Sequence, residues 1–326
     1  MGDTEFVEQR LGLEIGDPDR RDLPVSDSPN VDDFDYCVGA GNSHVDHRGD
    51  ASALSDNAVV AEAREVEHIG EVGQYFVSKE RRARMCAAPG KIIGRAAAFA
   101  FAQEGNRIVV SGRHDDAGET LVSELRALGT EAEFIRADVR LEDDVRDLVD
   151  RTLARFGRLD AAANCAGTEG RPGPVPQQTA DSYAATFDTN VLGTLLSMKH
   201  ELRVMRAQHS GSIVNVSSTY GHAGTPNASV YAASKHAVEG LTTSAALEVA
   251  GSGVRVNAVA PGPTETGMLN RFTGNAERKA GLVSTVPLGR VGQPDELANA
   301  IVFLASSKAA FITGQVLSVD GGKSAA

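Results

Sequence analysis

Apolar and polar positions follow different rhythms along this chain, and the rhythm changes near residue 94. Residues 1–60 are rich in Asp, Ser, Gly and Asn with little periodicity, which predicts loop or disordered chain; residues 61–68 have the pattern of a short helix. From Gly94 onward, strand-like and helix-like runs succeed one another. The pattern predicts helices over 94–104, 117–128, 142–156, 181–209, 231–250 and 295–304, with the fourth interrupted near 190–193. It predicts strands over 107–111, 132–137, 161–164, 212–216, 255–260 and 315–319. Apolar strands such as Ile213-Val214-Asn215-Val216 suit burial on both faces. Alternation of strands with helices implies a parallel sheet covered on both sides, so the expected fold is a doubly wound, Rossmann-like α/β domain.

Composition adds a boundary. The 326 residues are 41% hydrophobic and 23% charged, enough for a sizeable core. The net charge of −12 is unevenly spread: residues 1–85 carry 19 acidic and nine basic side chains, which leaves the remainder nearly neutral. The chain therefore divides into an acidic, poorly structured extension, 1–85, and a nearly neutral α/β domain, 86–326, which the motifs below make the candidate dinucleotide-binding and catalytic domain. The extension lacks the makings of a core and is expected to be dispensable for the fold. There is no basic stripe of the kind that binds nucleic acid. No apolar run approaches the roughly 20 residues of a membrane span, and the N-terminus has no signal-peptide pattern. Cys37, Cys86 and Cys165 are odd in number and widely spaced, which fits a reducing cytoplasm better than a disulfide framework. His44, Asp46 and His47 lack a third ligand at metal-site spacing, so no metal is expected.

The candidate chemistry lies in Tyr231-Ala-Ala-Ser-Lys235, with Ser218 thirteen residues upstream. Tyr231 and Lys235 fall on one helical face. A phenol has an ordinary pKa of about 10, and a neighbouring ammonium is expected to lower it toward the working range. Ser218 would hold a substrate oxygen beside the phenol. One group to move a proton and one to position an oxygen is what hydride transfer to a carbonyl requires.

These residues, with Ala137-Asp138-Val139, Asn164-Cys165-Ala166-Gly167, Asn190, Pro261-Gly262 and Asp320-Gly321-Gly322, follow one another as in the short-chain dehydrogenase/reductase family. The chain from about Gly94 to Gly322 resembles that family's single-domain form of roughly 250 residues. The resemblance implies that Tyr231 is the general acid and base, that Lys235 lowers its pKa and binds the nicotinamide ribose, and that Ser218 orients the carbonyl. It implies that Asn190 bends its helix and completes a proton relay. It places Asp138 and Val139 at the adenine, Asn164, Ala166 and Gly167 beside the cofactor, and Pro261, Gly262, Thr264 and Thr266 near the nicotinamide carboxamide. Asp138 is open to a second reading as a helix N-cap. Tyr220 and His222, just past Ser218, are candidates for the substrate pocket, and residues 266–283 for a lid. The resemblance also implies a homotetramer.

The opening motif departs from the family pattern T-G-x-x-x-G-x-G. Only Gly94 is in register; Gly90 is displaced, Ala88 and Ile92 stand in place of glycines, and the preceding Arg81-Arg82-Ala83-Arg84-Met85 is a poor buried strand. The missing central strand has two replacement candidates, Gln74-Tyr75-Phe76-Val77 and Phe34-Asp35-Tyr36-Cys37-Val38. Gly112-Arg113 ends the second strand without an acidic residue for the ribose, which favours NADP, with NAD possible. The sequence thus reads as an NAD(P)-dependent oxidoreductase of small alcohols or carbonyl compounds. The alternative is a catalytically silent relative or gene remnant that cannot hold a dinucleotide, reached through a misassigned start upstream of residue 93.

Overall fold

A computed structural model describes residues 72–79 and 92–326 of the chain. Strand β1 (Val72–Lys79) precedes helix α1 (Ile93–Gln103), β2 (Asn106–Gly112), α2 (Asp115–Ala127), β3 (Ala132–Arg136), α3 (Glu142–Phe156) and β4 (Ala161–Asn164). Then follow α4 (Ala180–Phe187), α5 (Gly193–Gln208), β5 (Gly211–Val216), α6 (Ser229–Val249), β6 (Val254–Pro261), α7 (Gly267–Thr273), α8 (Ala276–Val283), α9 (Pro294–Ala305) and β7 (Val316–Val319). The expected Rossmann-like fold is present, with the expected elements within a few residues of their bounds. The candidate helix 61–68 and candidate strand 34–38 lie outside the described residues.

The sheet order is β3-β2-β1-β4-β5-β6-β7. β2 with β3, and β4 through β7, pair in parallel. β1 runs antiparallel to both of its neighbours, with Phe76 opposite Val109 on one side and Ala162 on the other. The strand therefore comes from the stretch assigned to the extension and occupies the centre of the sheet. The facing edges of β2 and β4 would otherwise leave buried N–H and C=O groups without partners. Direction has a second consequence. Lys79 pairs with Asn106, so β1 ends at the opposite end of the sheet from its carboxyl tips. A tight turn from strand straight into α1 does not fit that polarity.

Alternate residues of the strands feed two cores. Ile108, Val110, Ala163 and Val214 face α1, α2 and α9. Val109, Ala162, Ile213 and Val256 face α3, α5 and α6. Each fully buried Val or Ile contributes about 1.5–3 kcal/mol. Ala96, Ala97 and Ala98 let α1 lie close to the sheet. Between α4 and α5 the chain widens into a π-helical turn, Asp188–Leu192, with Asn190 fully buried at its centre. Gly193 closes that turn, where a Cβ would come within 2.6 Å of Val139 Cγ2. The interruption expected near Asn190 is thus a local change of helical pitch with the helix axis continuing.

Phe76→Pro should remove a ladder hydrogen bond from the sheet centre, leave a buried partner unsatisfied and lower stability by about 1–3 kcal/mol. A chemical denaturation midpoint equal to that of the parent would show that β1 does not hold the sheet together.

Candidate active site

The carboxyl tips of β4, β5 and β6 border a cleft of about 400 Å³, closed on one side by the start of α1 and on the other by α7. This crevice is where an open α/β sheet binds its ligands. Ser218, just beyond β5, is extended and accepts a hydrogen bond from Tyr220 N at 3.2 Å. α6 carries Tyr231 and Lys235 into the same cleft from its first two turns. Lys235 is 4% exposed and donates from Nζ to Val216 O at 2.9 Å. Its ammonium lies 5.8 Å from the Tyr231 ring centroid.

The electrostatics differ from the expectation for Tyr231. Burial pushes its phenol up to about 12, opposed by a hydrogen bond with Ser218 and reinforced by the nearby Glu169 carboxylate. Lys235 is turned to the Val216 carbonyl, and burial outweighs the other influences on the phenol. Tyr231 is half-buried, so water in the open cleft works against part of the rise. Burial pulls Lys235 down to about 8. Cys165, also lining the cleft, is held up at about 12 by burial, with Lys235 opposing.

Asn190 does not line the cleft. Its Oδ1 accepts from Thr168 N at 2.8 Å, while Nδ2 donates to Thr168 O and Ser234 Oγ, each at 2.9 Å. Ser234 donates in turn to Tyr231 O at 2.7 Å. The side chain thus ties the loop after β4 to the helix that carries Tyr231. Around Gly167 the groups converge: a Cβ there would lie 3.3 Å from Asn190 Oδ1 and 3.4 Å from Lys235 Nζ.

Of the expected cofactor residues, Gly94, Arg113, Ala166, Gly167, Pro261, Gly262, Thr264 and Thr266 line the cleft with Tyr231 and Lys235. Gly90 lies outside the described residues. Gly112, Asp138, Val139 and Asn164 are not in the lining. The Asp138 carboxylate grips Arg140, accepting from its Nε at 2.9 Å and its backbone N at 3.1 Å. Those bonds hold its pKa below the usual value. The N-cap reading of Asp138 does not hold, because Leu141 occupies the N-cap position of α3, without a side-chain cap. Thr266 caps α7 through Leu269 N at 3.2 Å, and Thr264 donates to Gly262 O at 3.0 Å. Tyr220 lines the cleft, whereas His222 turns to Glu239, 3.2 Å from Nδ1 to Oε1.

Asn164 serves the sheet. Its Nδ2 donates to Glu201 Oε2 at 3.1 Å and Asn215 Oδ1 at 2.9 Å, and Asn215 donates on to Thr242 Oγ1 at 2.9 Å. Glu201 was not foreseen. It is completely buried on α5, and desolvation pushes its carboxyl up to about 8. The signal was a lone carboxylate on an inward-facing helical position. Also unforeseen were α7 and α8 within the lid stretch, Lys323 in the cleft wall, and the Arg271–Glu169 pair, 2.5 Å between Nε and Oε1.

The described residues fit a dinucleotide at both ends of the cleft. Among the described residues, the first turn of α1 has no acidic residue and no side-chain cap, a helix start that suits an anion. At the far end Gly167 keeps the wall open beside Lys235.

A family model described as enoyl-(acyl carrier protein) reductase matches residues 87–324. The chain is 40% identical over 233 residues to cis-4-hydroxycyclohexanecarboxylate dehydrogenase of Sinomonas cyclohexanicum, covering 72% of this chain and 92% of that one. It is 41% identical over 232 residues to an A-factor type γ-butyrolactone 1′-reductase of Streptomyces virginiae, covering 71% and 90%. A solved gluconate 5-dehydrogenase from Burkholderia cenocepacia, in complex with NADP and tartrate, superposes with a TM-score of 0.69 at 35% identity, covering 72% of this chain and 91% of that one. This chain belongs to the short-chain dehydrogenase/reductase family, a class of nicotinamide-dependent oxidoreductases. No relative among these favours a catalytically silent protein.

Glu201 sets a pH test. Between its ordinary 4.5 and about 8, the unfolded chain holds this carboxyl ionised while the folded chain keeps it protonated. The folded state then binds more protons, so stability falls as pH rises through that window. Glu201→Gln removes this slope. The variant should melt above the parent at pH 8, with the difference shrinking toward pH 5; parallel curves at both pH values would contradict a buried, protonated Glu201.

Proposed function

We propose that the protein is an NADP(H)-dependent alcohol dehydrogenase or ketoreductase acting on a small secondary alcohol or its ketone. The convergence of Ser218, Tyr231 and Lys235 on one cleft at the carboxyl tips carries this reading. A bound nicotinamide would supply or accept the hydride. Tyr231 donates the proton to the carbonyl oxygen in reduction and takes it back in oxidation. Ser218 holds that oxygen beside the phenol, and its own bond with Tyr231 keeps the two hydroxyls together. Lys235 faces the ribose side and brings a positive charge toward the phenol once dinucleotide draws it from Val216 O. Asn190 positions both partners through Thr168 and Ser234 and completes the proton route. Arg113 supports the choice of NADP: it lines the cleft directly after Gly112, where no carboxylate claims the ribose hydroxyls. The domain responsible is 86–326 together with strand β1.

A homotetramer in a reducing cytoplasm completes the proposal. Leu195 on α5 and Leu247 on α6 are exposed, and so are Phe303, Phe311 and Leu317 around the edge strand β7. Two such apolar faces suit two interfaces in one assembly, which light scattering reads. Among the described residues, no helix is long and apolar enough to cross a membrane.

Tyr231→Phe removes the proton donor with little change of volume. Its kcat on a ketone panel should fall at least about 100-fold with NADPH affinity largely kept; a rate within tenfold of the parent would reject Tyr231 as the acid. Arg113→Ala should weaken NADPH binding about tenfold, the equivalent of 1.4 kcal/mol, with little effect on NADH. Equal losses for both cofactors would place Arg113 away from the 2′-phosphate.

A further inference from the structure

The cleft is far more positive than the chain that builds it. Residues 86–326 are nearly neutral, yet the described lining residues include Arg113, Lys235, Arg271 and Lys323 against the single carboxylate of Glu169. Three of these cations have partners or roles already described. Arg113 stands at the end of β2, Lys235 belongs to the reacting group, and Arg271 is held by Glu169 through two bonds of 2.5 and 3.1 Å. Lys323 remains.

Lys323 is placed by the fold and does not trail from it. Gly321 and Gly322 adopt φ of 66° and 90°, which turns the chain sharply after β7. The Asp320 carboxylate fixes the turn by accepting from Gly322 N at 2.9 Å and Ser324 N at 2.7 Å. Lys323 is half-buried there, and its ammonium donates to Tyr220 OH at 3.1 Å and lies 4.8 Å over the Tyr220 ring. Among the described residues no carboxylate pairs with it. Tyr220 in turn packs near Phe272 of α7, with ring centroids 6.4 Å apart, and follows Ser218 by two residues. Because the Tyr220 oxygen accepts from Lys323, its own proton is left to donate. An ammonium and a phenol O–H therefore converge at the lid side of the cleft, next to apolar Met268, Leu269 and Phe272. Two donors, one of them charged, suit a carboxylate.

We propose that Lys323 and Tyr220 form a carboxylate-binding subsite, so that the substrate is a hydroxy or keto acid with an apolar body between its carboxylate and its reacting carbon. This rests on the oxidoreductase reading of the same cleft. Lys323 binds the carboxylate as a counterion, Tyr220 adds the second donor, and the lid helix covers the apolar body while Ser218 and Tyr231 meet the carbonyl.

The test compares 4-oxocyclohexanecarboxylate with its methyl ester, using NADPH and the full chain. The parent should prefer the acid at least tenfold in kcat/KM. Lys323→Met should reduce that preference at least tenfold, mainly by raising KM for the acid, and Lys323→Arg should restore most of it. Equal use of acid and ester by the parent, or a preference that Lys323→Met leaves in place, overturns the subsite while leaving the oxidoreductase reading intact. Failure to turn over either ketone counts against the oxidoreductase reading instead. Calorimetry with cyclohexanecarboxylate in the presence of NADP then decides the subsite independently. Binding lost in Lys323→Met supports it, and equal or absent binding in both proteins overturns it.

Discussion

The backbone edges of β2 and β4 face one another across the middle of the sheet, and the molecule depends on what fills the space between them. Each carries buried N–H and C=O groups whose desolvation is costly when unpaired. Val72–Lys79 satisfies both edges. Because it does so antiparallel, the sheet keeps its strand order and its two helical layers while losing the usual route from first strand to first helix. The carboxyl tips of β4, β5 and β6 stay in place, and the cleft that they border stays with them.

The polar groups next to that cleft follow a common arrangement. Asn190 fastens the β4 loop to α6, and Asn164 fastens β4 to β5 and to Glu201 of α5. None of these side chains touches the cleft, yet each fixes an element that does. A buried polar chain of this kind is favourable only when its members are bonded. Glu201 achieves it by remaining protonated, which exchanges a buried charge for a buried acid. The cost is a carboxyl oxygen, Oε1, without a partner among the described residues.

Three cations of the cleft are each held by a different partner. Lys235 is held on a backbone carbonyl, Arg271 on Glu169, and Lys323 on the face and oxygen of Tyr220. Burial raises the phenol and lowers the ammonium, so each group is biased toward its neutral form. An anionic cofactor and an anionic substrate end would both enter a site already prepared for negative charge.

The sequence by itself determined the alternation of strands and helices, because period-2 and period-3.6 patterns are local and the strands here are apolar on both faces. It singled out Ser218, Tyr231 and Lys235 too, by residue type and spacing, and these three line one cleft. It showed that the usual glycine loop was missing and named Gln74–Val77 among the strands that could fill the gap. Which candidate filled it, and in which direction, depended on pairing with strands distant in sequence, so only the tertiary structure decided it. The same holds for Asp138, taken up by Arg140, for Thr266, used as a helix cap, and for Tyr231, whose pKa follows burial more than its neighbour one turn away. Glu201 and Lys323 reach their partners across 37 and 103 positions of chain. No local pattern carries a contact of that span, since it exists only once the sheet has brought the helices and the C-terminal turn around one crevice.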